Sequence, residues 1–294
     1  NLRNLTLVFN NAAIAFPAIT LTSGGSLSAT AGGAITQSGV LTVPGTSSFS
    51  AGANTITLNS ANVLTGAITL SNSGANNASL TNSIATVLAA STVGNNLTIS
   101  SGGAITQSGV LTVPGTSSFS AGSNAITLNS ANVLTGAISL SNSGANAVSV
   151  TNSIATVLAA STVGNNLSIT SSGAITQSGV LTVPGTSSFS AGSNAITLNS
   201  ANVLTGAITL SNSGVNNVSL TNSITTVLAA STVGNNLTIS SSGAITQSGV
   251  LTVPGTSSFS AGANTITLNN ANVLTGAITL SNSGANNISL TNSI

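Results

Sequence analysis

A block of 70 residues recurs along this chain almost unchanged, and the recurrence constrains the fold more than any other feature. The text GAITQSGVLTVPGTSSFSAG begins at Gly33, Gly103, Gly173 and Gly243, so Gln37, Gln107, Gln177 and Gln247 are equivalent positions. Pro44, Pro114, Pro184 and Pro254 share a register, as do Phe49, Phe119, Phe189 and Phe259. The stretches from Gly103 to Ile138 and from Gly173 to Ile208 are identical. A compact domain does not reuse one text four times. A long-period array is the mark of a quasi-one-dimensional protein in which each unit contacts mainly its neighbours.

The second constraint is an absence. Arg3 is the one cation, and Asp, Glu, Lys, His, Cys, Trp, Tyr and Met do not occur. Nucleic-acid binding rests on neutralising phosphates with Lys and Arg, and docking on anionic lipid rests on the same residues; neither is expected. The mean hydropathy is positive, but mainly because charge is missing. No apolar run approaches the roughly 20 residues of a spanning helix. A spanning barrel would want aromatic girdles, so membrane insertion is not expected either. The lack of cysteine is compatible with secretion without a disulfide framework.

Within each block short strands alternate with small-residue turns. In NTITLNS (Asn54 to Ser60), GAITLSNS (Gly66 to Ser73) and NLTIS (Asn96 to Ser100) every second residue is aliphatic: Ile56 and Leu58, Ile68 and Leu70, Leu97 and Ile99. That period of two puts aliphatics on one face and hydroxyls on the other. Segments such as SGG, PGTSS and SAGAN supply turns. The expected fold is all-β, a parallel β-helix with about three coils per repeat. One division runs from Asn96 to Gly115, a second from Thr116 to Gly136, and a longer third from Ala137 to Asn165 with a bulge or small loop.

A narrow coil explains the composition. Ala, Val, Ile and Leu fill it, and neutral Asn, Ser and Thr stack on their own kind without the repulsion that stacked charges would bring. The position of Ala78 becomes Val148, Val218 and Ile288, always apolar, whereas Thr98 becomes Ser168. The alternative, a string of β-sandwich domains, calls for aromatic cores and polar linkers, and neither is visible.

The domain reading is residues 1–26 as divergent leading coils and 27–294 as tandem repeats, divided 33–102, 103–172, 173–242 and a partial 243–294. LSATAGG (Leu27 to Gly33) reads as a worn copy of LTISSGG. Ile294 aligns with Ile84 in mid-block, so a fragment of a longer array is expected, or ends covered by further copies.

The run from Gly94 to Gly122, with the phrases STVGNNLTIS, GGAITQSG and TSSFSAG, resembles the filamentous-haemagglutinin-like exoproteins and adhesins of Gram-negative bacteria. The resemblance extends over the array from about residue 27. It implies a right-handed parallel β-helix (β-solenoid), secretion through an outer-membrane partner, and an extended stalk or fibre at the cell surface. The family's secretion domain and adhesive or toxic tips are not visible in these residues.

Catalysis needs groups that exchange protons, attack or bind metal. Without His, Asp, Glu, Cys, Lys or Tyr no base can activate a serine, so no catalytic, cofactor-binding or metal-ligating residue is assigned, and no enzyme is expected. Sequons at Asn4, Asn77 and Asn96 could accept glycans, although a chain this rich in Asn, Ser and Thr generates the pattern by chance. Gly102 and Gly103 read as turn residues. The Thr55 to Thr57 triplet is similar to the outward T-x-T rows of ice-binding solenoids, but its counterpart at 125–127 is AIT. The series Asn54, Asn124, Asn194 and Asn264 reads as a turn or a structural ladder.

Two functions remain, both structural and extracellular: the stalk of a secreted adhesin or exoprotein, or a self-associating fibre or sheath whose repeats are the product. The expected partners are further copies of the chain, axial or lateral, or a host or abiotic surface met through regions outside this chain. An ice-binding solenoid comes third.

Overall fold

The computed structural model describes residues 2–294. The chain divides into two compact units, Asn1–Thr151 and Asn152–Ile294. Each is a parallel β-solenoid without helices among the described residues, and the chain makes about 14 turns. The alternating segments form strands as their period of two requires: Ile56–Leu64, Ala67–Ser71 and Leu97–Ser101.

In the first unit one column of strands stacks Leu5 on Leu27, Leu27 on Ser47, Ser47 on Ile68 and Ile68 on Leu88. The column on the other side of the coil stacks Ile14 on Ile35, Ile35 on Ile56, Ile56 on Ala78 and Ala78 on Leu97. The second unit repeats the pattern, with Leu167, Ser187, Ile208 and Leu228 in one column and Ile175, Ile196, Val218 and Leu237 in the other. The leading residues form one full coil, with strand Leu5–Phe9 in register on Leu27–Ala31.

These registers refine the coil count. Three turns carry the chain from Leu27 through Ser47 and Ile68 to Leu88, and a further half turn brings it to Leu97, the equivalent of Leu27 in the next repeat. Each repeat is therefore made of half turns in odd number. Four are unbroken strands (Leu27–Ala31, Ser47–Ser50, Ala67–Ser71, Ala78–Asn82) and two are broken by a corner (Ile35–Gln37 with Leu41–Val43, Thr86–Leu88 with Ser91–Thr92). The seventh is the long strand Ile56–Leu64. Consecutive repeats consequently start on opposite sides of the coil: Leu27 and Leu97 lie in different columns, as do Leu167 and Leu237.

The surplus length assigned to the third coil is this extra half turn rather than a loop. In the equivalent segments 67–95 and 207–235 it is occupied by strands Ala78–Asn82 and Val218–Asn222. The register shift falls one segment earlier, inside Ile56–Leu64, where Leu58 pairs with Leu80 but Asn62 with Asn82.

The inward apolar residues are Leu, Ile, Val, Ala and one Phe per repeat, and Phe49, Phe119, Phe189 and Phe259 are all fully buried. Phe16 meets Phe49 edge to face at 6.0 Å, a favoured aromatic geometry. Ala78, Val148 and Val218 are buried, as their apolar exchange indicated, whereas Ile288, on the last strand described, is 39% exposed.

Candidate functional site

Polar side chains do their clearest work inside the coil, at the register shift. A bulge leaves backbone groups without ladder partners, and a buried unpaired group costs about 1–3 kcal/mol. Asn202 removes that cost in the second unit. Its Nδ2 donates to Leu198 O at 3.1 Å within its own coil and to Thr221 O at 3.0 Å in the next, while Oδ1 accepts from Leu181 N at 3.0 Å in the preceding one. Gln177 completes the site: its Nε2 donates to Asn202 Oδ1 at 2.9 Å and its Oε1 accepts from Asn202 Nδ2 at 3.0 Å. Gln177 also serves backbone, donating to Gly179 O and accepting from Ser200 N.

The spine continues at the next corner. Asn222, in register with Asn202, accepts from Leu204 N and donates to Leu204 O, Thr225 O and Thr226 Oγ1. Thr226 Oγ1 then donates to Ser241 Oγ at 2.9 Å, and Ser241 Oγ donates to Ile224 O at 2.8 Å. The first unit builds the same spine from Gln37, Asn62, Asn82, Thr86 and Ser101. The equivalence of the glutamines was plain in the sequence, but their asparagine partners were missed. Parity was the available signal, because Asn62 occupies an inward position of the alternation that begins at Ile56 and Leu58.

The residues singled out by sequence lie elsewhere and serve the stacking of turns. Asn194 Nδ2 donates to Ala191 O at 3.2 Å within its turn and to Ser172 O at 2.9 Å in the neighbouring coil. Asn54, Asn124 and Asn264 make the equivalent pairs, so the series is both turn and ladder. The sequon asparagines sit at a corner where they cap the next coil: Asn4 Oδ1 accepts from Ser26 N, Asn77 Oδ1 from Asn96 N, and Asn96 Oδ1 from Thr116 N. Gly102 and Gly103 allow close stacking, since a Cβ there would meet Ser83 O and Ala85 N. Thr57 faces outward beside Ser79 of the next coil, so the T-x-T pattern is not continued as threonine.

The outer surface divides into two textures. Where unbroken strands stack, as in Ala78–Asn82, Leu97–Ser101, Ser117–Ser120 and Ile138–Ser141, every outward position is Ser or Thr, from Ser79 and Thr81 to Ser139 and Ser141. Where broken strands stack, valines such as Val110 and Val180 are exposed beside the corners. A cavity of about 450 Å³ in the second unit is lined by Thr197, Val215, Asn217, Ser219, Asn236 and Thr238. Val215, 86% exposed, stands where the other repeats carry Ala75, Ala145 and Ala285. Its lining offers hydroxyls and amides but no acid or base.

An array of tandem solenoid repeats is thus the class the fold defines. The chain belongs to the family described as repeats of unknown function (DUF5649), which matches residues 2–71, 75–141, 145–211 and 215–281. The first match takes in the leading residues as well as the regular array. No curated protein and no solved structure matches the chain.

Proposed function

We propose that this chain is the structural shaft of a secreted bacterial adhesin or exoprotein, acting outside the cell by shape rather than by chemistry. The observation behind this reading is the use made of the buried amides. Asn202 and Asn222 are engaged with backbone of neighbouring coils, and Gln177 with Asn202 and the Ser200 amide, so they join coils instead of waiting for a ligand. The composition supports it, since no side chain is suited to general acid–base or nucleophilic work. The likeness of STVGNNLTIS, GGAITQSG and TSSFSAG to filamentous-haemagglutinin-like repeats supplies the cell-surface setting. A host or abiotic surface would then be met through regions outside this chain.

Cryo-electron microscopy of the native material tests it. Rods of one fixed length with distinct density at a tip are expected. Continuous filaments with a coil spacing of about 4.8 Å and no tip would overturn the shaft in favour of a second reading, a fibre whose repeats are themselves the product. The outward hydroxyl faces favour that second reading.

A further inference from the structure

We infer that the unbroken-strand faces are lateral contact surfaces for a second copy of this chain, a reading that deepens the structural role proposed above. In the first unit four adjacent strands, Ala78–Asn82 to Ile138–Ser141, make one face whose outward side chains are all hydroxyls. In the second unit Val218–Asn222, Leu237–Ser241, Ser257–Ser260 and Ile278–Ser281 make the same face, again entirely Ser and Thr outward. The odd number of half turns places an equivalent face on the other side of the first unit, formed by Leu5–Phe9, Leu27–Ala31, Ser47–Ser50 and Ala67–Ser71. There Val8 and Ala67 are the outward positions that are not hydroxyls.

The chemistry selects the partner. A serine or threonine hydroxyl both donates and accepts, so a face of this kind is complementary to itself without any second set of groups. Its rows repeat at the strand spacing of about 4.8 Å, and only a surface of the same pitch keeps successive rows in step. A charged partner would find no counter-charge, because Arg3 is the sole ionised side chain. Between copies there is no repulsion to hold them apart.

Each face is small, about 16 Å along the strands and somewhat less than 20 Å across four of them by strand geometry. That is well below the roughly 800 Å² per partner of a stable interface. Stable contact therefore takes faces from more than one repeat, and a chain with faces on two sides can hold a neighbour on each.

Sedimentation of the full chain over a range of concentrations tests the inference, with particle width read by electron microscopy. Mean mass is expected to rise at least about twofold with concentration and to be unchanged by salt. Particles should widen. A variant with Thr98→Lys, Ser118→Lys, Thr238→Lys and Ser258→Lys is expected to stay single at low salt and to regain association at about 1 M salt, where charge is screened. Circular dichroism confirms that it is folded, and salt rescue separates repulsion from misfolding. Thr112→Lys with Thr252→Lys, on broken strands, should associate as the native chain does. A native chain that stays single throughout, that grows in length without width, or that is equally dispersed by both sets of lysines would overturn the inference. Single rods with a tip would do so while leaving the shaft reading intact, whereas wide, tipless assemblies would support the lateral contact and remove the shaft.

Discussion

Gln177 and Asn202, 25 residues apart, hold each other by two reciprocal amide hydrogen bonds of 2.9 and 3.0 Å inside the coil. Asn202 is fully buried and reaches backbone in three successive coils. The pair stands where the β-ladder shifts register between Leu198 and Asn202, so it substitutes for the ladder bonds that the bulge removes. The bulge in turn lets one long strand, Ile196–Leu204, pair with Val218–Asn222 on both sides of the shift, at Leu198 and at Asn202, while Val203 and Leu204 pair with Thr182 and Val183.

Replacing the amide tests that role. Asn202→Leu keeps the branched shape and the number of heavy atoms but strands Leu181 N, Leu198 O, Thr221 O and the Gln177 amide. At about 1–3 kcal/mol for each buried group left unpaired, with some relaxation, the local loss should be on the order of 3 kcal/mol or more. Hydrogen exchange reads it directly: the Leu181 amide should lose protection strongly, while amides several coils away change little, as nearest-neighbour stability requires. Unchanged protection at Leu181 would mean that the coil closes without the pair.

The four serines that begin the phenylalanine strands should behave in the opposite way. Ser47, Ser117, Ser187 and Ser257 have buried hydroxyls with no hydrogen-bond partner, and nothing in the structure explains why serine stands there. Ser→Ala at each position removes an unsatisfied group at small cost in packing, so about 1 kcal/mol of stabilisation is expected per site. The sites lie in separate repeats and should add. A fourfold variant with a lower denaturation midpoint than the parent would show that these hydroxyls hold a bond in solution.

Strands and their inward faces were legible because period two is local: Ile56 with Leu58 and Leu97 with Ile99 point inward, and all four are buried. The extra half turn was hidden by the way its corner is made. Between Asn82 and Thr86 the chain turns through Ser-Ile-Ala, with no Gly or Pro to punctuate it. The turn is held instead by Asn82 Nδ2, which donates to Ala85 O and Thr86 Oγ1. A buried asparagine can replace turn residues, but in a text so rich in asparagine nothing local marks which one does. The Gln177–Asn202 pair escaped for a related reason, since its two members meet only once the coil register is known.

Space, not backbone conformation, should decide the role of Gly206. It stacks on Gly185 of the preceding coil, and a Cβ added there would run into Gly185 O and Thr186 N. Gly206→Ala therefore has to push neighbouring coils apart at a corner, with an expected cost of about 2 kcal/mol or more. Gly192 provides the contrast: its φ is +53° but its Cβ position is open, with Ser171 O the nearest atom at 4.0 Å. Gly192→Ala should cost about 1–2 kcal/mol, from the left-handed backbone alone. Comparison of the two denaturation midpoints checks this; equal losses would mean that the Gly206 corner yields easily.

Stability should be nearly flat in pH. The slope of unfolding free energy with pH equals the difference in protons bound by the unfolded and folded states. With no Asp, Glu, His, Cys, Lys or Tyr, no side chain releases or takes up a proton between about pH 4 and about pH 9, so the side-chain contribution to the slope vanishes in either direction. Salt should matter as little, because the core is joined by neutral amides and hydroxyls such as Asn202, Asn222 and Thr226. Chemical denaturation monitored by circular dichroism at both ends of that range, at low and high salt, is expected to give unfolding free energies within about 1 kcal/mol of one another. A larger difference would mean that a chain terminus is bound in the folded state, since the termini are the remaining groups able to titrate there.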